Sequence, residues 1–174
     1  MPETLESVAE PKDSTKVGFL TAIGHVRIFR KDMQAVCDSL VYSSLDSCMT
    51  MYRDPVTWSD ERQLFGDSIK IYMNDSTVRE AYVFSNAMSI EKRLDQKHFN
   101  QVASREMRAF FKEGKIRLTE AIGNVLSVYF PEEEKDSSVI GLNYLETDTL
   151  RMFMSGQQRL EKIWVSKKYG MCDS

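Results

Sequence analysis

The chain has 174 residues, of which 42% are hydrophobic and 28% charged, a composition typical of one globular domain with a buried core. A formal net charge of −3 argues against a general nucleic-acid binder, because such proteins carry a basic excess. No apolar run approaches the roughly 18 residues that a membrane-spanning helix needs.

Both ends of the chain are predicted to be flexible. Residues 1–16, MPETLESVAEPKDSTK, are polar and acidic, and they lack the basic start and apolar block of a secretory signal. The tail at 166–174 is also polar, so one domain is expected over 17–165. Two locations stay open on composition: the cytoplasm, or an exported compartment if a signal has been removed or lies outside this sequence.

The cysteines are interpreted as small apolar residues. There are three of them, Cys37, Cys48 and Cys172, and an odd count is a poor disulfide framework. A turn centred on Leu45 would put Cys37 and Cys48 on neighbouring strands but not opposite each other. A bridge between these two is the alternative, and burial as unpaired thiols is favoured.

Four segments of the chain share one strand-like pattern. They read DSLVY (38–42), DSIKIYM (67–73), REMRAFF (105–111) and DTLRMFM (148–154). Alternate residues of a strand point to one face, so each segment offers an apolar row. Counted from the first residue of each segment, positions two, four and six give this row: Leu40, Tyr42, Ile69, Ile71, Met73, Met107, Ala109, Phe111, Leu150, Met152 and Met154. The opposite row is amphipathic, with Lys70 and Tyr72 as one example.

Each segment is followed by a polar turn and a second strand, and one phrase recurs where one unit closes and the chain leads to the next segment. AIGHV at 22–26 and AIGNV at 121–125 are near copies, and VFSNAM at 83–88 holds the corresponding place in between. A glycine inside a strand marks a bulge, a bend or a close backbone approach. The recurrence predicts a reused structural unit, and stacking such units predicts a sandwich-like or open roll.

A helix is the competing prediction for residues 89–113, which are rich in helix formers. An apolar stripe that starts at Leu94 would continue through His98 and Val102, but it fails at Glu106. We therefore expect no more than a short helix or turn between Glu91 and His98. The fold class that follows is all-β, with about 10 to 13 antiparallel strands.

Catalytic and metal-binding patterns are absent from the sequence. It contains no G-x-S-x-G, no H-E-x-x-H and no phosphate-binding glycine loop, and neither His25 nor His98 has a ligand partner at close spacing. The acidic segment PEEEKDSS (131–138) is expected to be a solvated loop. The recurring Asp38, Asp67 and Asp148 are expected at strand entrances, where a carboxylate can accept backbone N–H bonds from the turn. No catalytic residue, metal or cofactor is predicted.

The methionines admit two interpretations. Ten of them occur, and Met73, Met107, Met152 and Met154 fall on the apolar row. They either fill a core or form an adaptable lining for an apolar ligand such as an acyl chain, because methionine repacks easily.

Three stretches of the sequence resemble a known family: GHVRIFRKDMQAVCDSLVYSS (24–44), LFGDSIKIYM (64–73) and FNQVASREMRAFFKEGKIRLTEAIGNVLSVYF (99–130). They are similar to the OstA-like, LptA-type proteins of lipopolysaccharide transport, in particular the OstA-like proteins of the Bacteroides group. The resemblance covers about 18–165. It implies an open, V-shaped antiparallel β-jellyroll in the periplasm that binds lipopolysaccharide acyl chains inside the roll. It also implies end-to-end stacking through edge strands, with further copies or with other OstA/Lpt-type modules.

The sequence leaves three functions open. The first is a lipopolysaccharide-binding module that shields acyl chains and passes them toward the outer membrane, with Arg27, Arg30 and Lys31 at the rim available for lipid phosphates. The second is a scaffold that works through edge-strand pairing without lipid, and the third, least supported, is an enzyme acting on a glycolipid or glycan. The predicted lining of the lipid groove is Leu40, Tyr42, Ile69, Ile71, Met73, Met107, Phe111, Leu150, Met152 and Met154.

Overall fold

The computed structural model describes residues 18–93, 95–131 and 141–166, which form one antiparallel sheet of 11 strands. The predicted flexible segment 1–16, most of the 166–174 tail, Leu94 and nearly all of the acidic segment 131–138 lie outside the described residues. The strands are β1 (Phe19–Phe29), β2 (Gln34–Ser43), β3 (Cys48–Tyr52), β4 (Val56–Ser59), β5 (Arg62–Phe65), β6 (Ser68–Asn74), β7 (Thr77–Lys92), β8 (Phe99–Lys112), β9 (Lys115–Tyr129), β10 (Asn143–Met154) and β11 (Leu160–Val165). The all-β prediction is confirmed, and the strand number lies in the predicted range.

The chain follows a meander of long strands, two of which are interrupted. Strand β2 pairs with β3 through Ser39–Ser43 and with β4 through Gln34–Val36, so β3 and β4 continue one another along the same edge. Strand β7 pairs in the same way with β6 and β5. Successive long strands are therefore hydrogen-bonded neighbours from β1 to β11.

Alternate long strands are bent near their middle by two residues with positive φ. Gly24–His25 interrupt β1, Ser85–Asn86 interrupt β7 and Gly123–Asn124 interrupt β9, and each pair coincides with a shift in strand register. Arg53–Asp54 form a fourth such pair between β3 and β4. A bulge of this kind bends the strand and increases its local twist. The repeated phrase AIGHV/AIGNV, with VFSNAM between, is therefore the sequence of the bend, as its glycine inside a strand predicted.

The bends align across the sheet into one line, which we call the crease. Asp38 lies opposite Gly24–His25, and Asp67 lies opposite Ser85–Asn86. Arg105 and Asp148 lie on either side of the bulge in β9. The first residues of the four similar segments thus all lie on the crease.

The expectation that the aspartates stand at strand entrances holds for Asp67, which directly precedes β6, and is wrong for Asp38 and Asp148. Asp38 and Asp148 are inside β2 and β10, because each long strand continues through the crease. The carboxylate of Asp38 accepts a hydrogen bond from Arg53 Nη1 at 3.0 Å, and that of Asp67 accepts two from Asn86 Nδ2 at 3.1 and 3.2 Å. These aspartates therefore bind side chains of the facing bend.

The sheet folds along the crease into two lobes whose inner faces pack together. The crease divides each of the long strands β1, β2, β7, β8, β9 and β10 into two halves, one in each lobe. The large lobe also contains β3, β6 and β11, and the small lobe also contains β4 and β5. Residues of both lobes, such as Ile69 and Val125, belong to one hydrophobic cluster. This arrangement is a V-shaped β-jellyroll with its apolar side chains inside.

The segment between β7 and β8 is a turn. Strand β7 runs to Lys92, a turn occupies residues 95–97, and β8 begins at Phe99. The competing helix for 89–113 is excluded because strands β7 and β8 occupy most of that range. The described residues include no helix that is long and apolar enough to cross a membrane.

Candidate functional site

The inner face of the large lobe is built from rows of directly paired residues. One row crosses the lobe beside the crease and contains Ala22, Leu40, Met51, Ile69, Val83, Met107, Ala121, Leu150 and Val165. The next row contains Leu20, Tyr42, Met49, Ile71, Ala81, Ala109, Thr119, Met152 and Ile163. We call these the crease row and the outer row. Positions two and four of the sequence pattern are members of these two rows.

The predicted lining residues are brought together on this one wall. Leu40, Ile69, Ile71, Met107 and Leu150 are buried in the hydrophobic cluster, and Tyr42, Met73, Phe111 and Met152 are partly buried against it. Met154 is half-buried and is not among the described residues of that cluster; it follows a shift in the register of β10 with β11. Nine of the ten side chains therefore share the interior.

Burial falls with distance from the crease. Met51 and Ile69 in the crease row have no exposed surface. Farther out, Tyr42 and Met152 are only partly buried, as are Met73 and Phe111 near the hairpin turns. The interior is thus filled by side chains along the crease and accessible toward the open side of the V.

The opposite wall, on the small lobe, was missed by sequence reasoning. Its buried residues are mostly small: Ala35, Cys37, Ala87, Val102 and Val125. Part of this wall could have been predicted by following the same alternation toward the N-terminus from Asp38. Cys37 and Ala35 precede Asp38 by one and three residues, so they share one face of the strand. The pattern runs only forward from the first residue of each segment, so it predicted only one wall.

The small lobe also buries polar side chains, and three of them form hydrogen bonds within the protein. Thr147 Oγ1 donates to the carbonyl oxygen of Ser166 at 2.6 Å, and Ser104 Oγ donates to that of Glu106 at 2.8 Å. Asn100 Oδ1 accepts the backbone N–H of Phe130 at 2.9 Å. Satisfied groups such as these carry little penalty for burial, so the small-lobe wall stays compatible with an apolar interior.

Both edges of the large lobe expose apolar side chains of the inner rows. Leu20 at the β1 edge and Ile163 at the β11 edge both belong to the outer row of the inner face. Their side chains are nevertheless 59% and 47% exposed. Among the described strands, β1 pairs with β2 alone and β11 with β10 alone. The inner wall therefore continues to two edges whose outer backbone groups have no strand partner in the described chain.

The basic residues proposed for the rim divide into two sets. Arg30 and Lys31 lie in the β1–β2 turn and line a surface depression of about 400 Å³ together with Asp32, Trp58 and other neighbours. Arg27 lies in β1, where it pairs with Val36 of β2. Its neighbours Val26 and Ile28 point inward, so the side chain of Arg27 points away from the interior. Its proposed place at the rim is therefore wrong, because the two-residue period of the strand directs it outward.

Of the two histidines, His98 forms a structural contact and His25 does not. His98 Nδ1 contacts the Asp95 carboxylate, which also accepts the backbone N–H groups of Lys97 and His98 at 3.0 Å each. The bond from His98, followed by those two N–H bonds, holds the pKa of Asp95 well below its usual range. His25 is exposed within the β1 bulge. No group of three or more His, Cys, Asp or Glu residues that could hold a metal occurs in the described ranges.

The two short-spaced cysteines are free thiols on opposite sides of the sheet. Cys37 belongs to the interior cluster, and its burial, with a smaller effect from Asp38, raises the pKa of its thiol. Cys48 is equally buried but pairs with outward-facing Tyr72 and lies 3.9 Å from Thr50 Oγ1. The preference for unpaired burial over a Cys37–Cys48 bridge is confirmed.

Comparison with known structures defines the class of fold: an LptA/OstA-like β-jellyroll, as the resemblance implied. The chain is similar to LptH of Pseudomonas aeruginosa, which is described as the LptA-homologous periplasmic component of the conserved lipopolysaccharide transport device. The TM-score is 0.55 at 10% sequence identity, and the match covers 78% of this chain and 95% of LptH. No family model matches the sequence, and no curated protein matches it. The likeness therefore rests on the fold.

Proposed function

We propose that this protein is a periplasmic lipopolysaccharide-binding module that shields acyl chains between its lobes and passes them toward the outer membrane. The observation that carries the proposal is the continuous apolar wall of the crease row and the outer row, which crosses the large lobe from β1 to β11. The fold it shares with LptH supports the same conclusion.

The acyl chains would bind along the outer row and the residues beyond it. Tyr42, Met73, Phe111 and Met152 keep accessible surface, whereas the crease row from β2 to β10 is already covered by protein. Each buried methylene contributes about 0.8 kcal/mol, so several chains give high affinity without a charged clamp. Deeper insertion requires the two lobes to move apart, and the partly buried methionines can repack around different tails.

The edges of the roll suit end-to-end assembly. A second copy, or another module of the same fold, that pairs with β1 or β11 would cover Leu20 at one edge or Ile163 at the other. Such pairing would extend the apolar wall from one module to the next. Lipid could then move between equivalent grooves without leaving an apolar surface.

Site-specific photo-crosslinking tests the groove. A photoreactive phenylalanine analogue at Phe111 lies next to the interior cluster, while the same analogue at Phe110 points to the outside of the large lobe, where Tyr82 is its ring neighbour. Irradiation with purified lipopolysaccharide should give an adduct at 111 and little at 110. Equal labelling at both positions, or labelling at 110 alone, would contradict binding between the lobes.

The filled crease favours one alternative, a scaffold that acts through edge-strand pairing alone. Met51 and Ile69 have no accessible surface, as in an ordinary protein core. In that case self-association measured by analytical ultracentrifugation would be independent of lipopolysaccharide, and the analogue at 111 would give no adduct.

A further inference from the structure

Arg30 connects the two lobes at the open side of the V. It lies in the β1–β2 turn, at the tip of the small lobe, and its guanidinium reaches the β6–β7 hairpin at the tip of the large lobe. There Nη2 donates to the backbone carbonyl oxygen of Ser76 at 2.5 Å, and Nη1 lies 3.5 Å from Met73 Sδ. A single side chain thus spans the gap through which an apolar ligand would pass.

Both turns joined by Arg30 are held in place by bonds of their own. On the small lobe, the Arg30 N–H donates to the Met33 carbonyl oxygen at 2.8 Å, and Ser59 Oγ donates to that of Asp32 at 3.1 Å. On the large lobe, Thr77 Oγ1 donates to the Asn74 carbonyl oxygen at 3.2 Å. Because neither turn needs the cross-lobe contact for its own shape, the contact acts chiefly on the separation of the lobes.

The guanidinium is oriented for this contact by Asp32. Arg30 Nε donates to Asp32 Oδ1 at 3.1 Å, which leaves the two terminal nitrogens free to point at Met73 and Ser76. The side chain of Arg30 is only 26% exposed, so solvent screens it incompletely. A lysine keeps the charge but has no planar fork that could serve Asp32 and Ser76 together.

We propose that Arg30 is a latch between the lobes and that it sets how readily the interior opens to a ligand. The proposal rests on the proposed binding of acyl chains between the lobes, and it adds the residue that regulates access to that site. Arg30, Met73 and the carbonyl of Ser76 form the closed contact. Breaking it lets the tips separate while the crease, with its continuous strands, still joins the lobes.

Two native thiols can report this motion separately from unfolding. Cys37 faces the interior on the small-lobe wall, so opening of the lobes exposes it. Cys48 is buried on the outer side of the large lobe, against Tyr72, so opening leaves it covered and only unfolding of the lobe exposes it. Replacing Cys172 by serine leaves these two as the only thiols in the sequence.

The experiment measures the maleimide labelling rate of each thiol by peptide mass spectrometry in Cys172→Ser protein without lipid. Arg30→Gln should speed labelling of Cys37 by about tenfold, the effect of losing a hydrogen bond to a charged group, and should leave Cys48 unchanged. Arg30→Lys should give a smaller increase. Arg27→Gln, which removes the same charge from an outward position in β1 three residues before Arg30, should match the parent.

Two results would overturn the latch. Equal acceleration at Cys37 and Cys48 would mean that Arg30 only stabilises the fold, and an unchanged Cys37 rate in both Arg30 variants would mean that its contact does not hold the lobes together. Because no lipid is present, these outcomes are independent of the crosslinking at 111. A failed crosslink with accelerated Cys37 labelling would refute the lipid groove and leave the latch standing.

Discussion

Asp67 and Asn86 join β7 to the β5–β6 junction on the crease, with both carboxylate oxygens of Asp67 accepting from the Asn86 side-chain amide at 3.1 and 3.2 Å. Asn86 has a φ of 50°, a conformation that asparagine tolerates better than most residues. Here one residue supplies both the backbone bend and a bond that ties the bend to its neighbour. The crease is therefore held by local conformation and by cross-strand pairing together.

Two substitutions at Asn86 separate these contributions. Asn86→Gly loses the amide but keeps the positive φ, whereas Asn86→Ala loses the amide and strains the backbone. We expect the alanine variant to be less stable than the glycine variant by about 1 kcal/mol in urea unfolding. If the two variants unfold at the same urea concentration, backbone conformation at the bend is not limiting.

The crease row should dominate stability. Ile69→Ala removes a side chain with no exposed surface from the centre of the interior, and we expect a loss of about 2–5 kcal/mol in the free energy of unfolding. The neighbouring Lys70 faces outward over the ring of Phe84, so Lys70→Ala should cost less than about 1 kcal/mol. A comparable loss in both variants would contradict the assignment of the inner face.

Gly66 is required by the close approach of β7 to the β5–β6 junction. A Cβ atom at this position would lie 2.3 Å from Val83 Cγ1 and 3.0 Å from the carbonyl oxygen of Ser85, distances at which the neighbours must move. Gly66→Ala should therefore lower the free energy of unfolding by about 1–3 kcal/mol.

Gly141 provides the matched control, because a Cβ there would meet nothing within 4 Å. Gly141→Ala should leave stability nearly unchanged. Adding Val83→Ala to Gly66→Ala removes the nearer of the two clashes, so the double variant should lose less than the sum of the single effects. Strict additivity would show that the contact with Val83 is not the cause.

The ion pair between β5 and β7 should make stability depend on pH. Burial of Glu91 raises its pKa, but Arg62, whose Nη2 donates to Oε1 at 2.7 Å, together with Asn100 and Arg93 outweighs burial, so the pKa lies below its ordinary 4.5. The stabilisation is therefore fully present above about pH 4.5 and is lost as pH falls through the lower folded-state pKa.

Urea unfolding of the native protein and Glu91→Gln between pH 3 and pH 7 measures this dependence. The native protein should be the more stable of the two above pH 4.5, and the difference should shrink as the solution becomes more acidic. A difference that stays constant over the whole range, or grows toward low pH, would contradict the lowered pKa.

Sequence reasoning found the face of each strand because side-chain direction is a local property of the backbone. Alternation in segments such as 67–73 and 148–154 was enough to predict which residues share the large-lobe wall, and Ile69 and Leu150 are indeed members of one cross-strand row. The recurring AIGHV and AIGNV phrases identified the bends for the same reason, since positive φ at a glycine is encoded within a few residues.

Only the tertiary structure decided how these local features combine. The alignment of the bends into one crease depends on the register between strands, which places Asp38 and Asp148 within strands and brings Cys37 and Val125 together as a second wall. The contact of Arg30 with Ser76 joins turns that no local pattern relates. These contacts come from the packing of residues far apart in the chain, and a period of two residues along a strand carries no information about them.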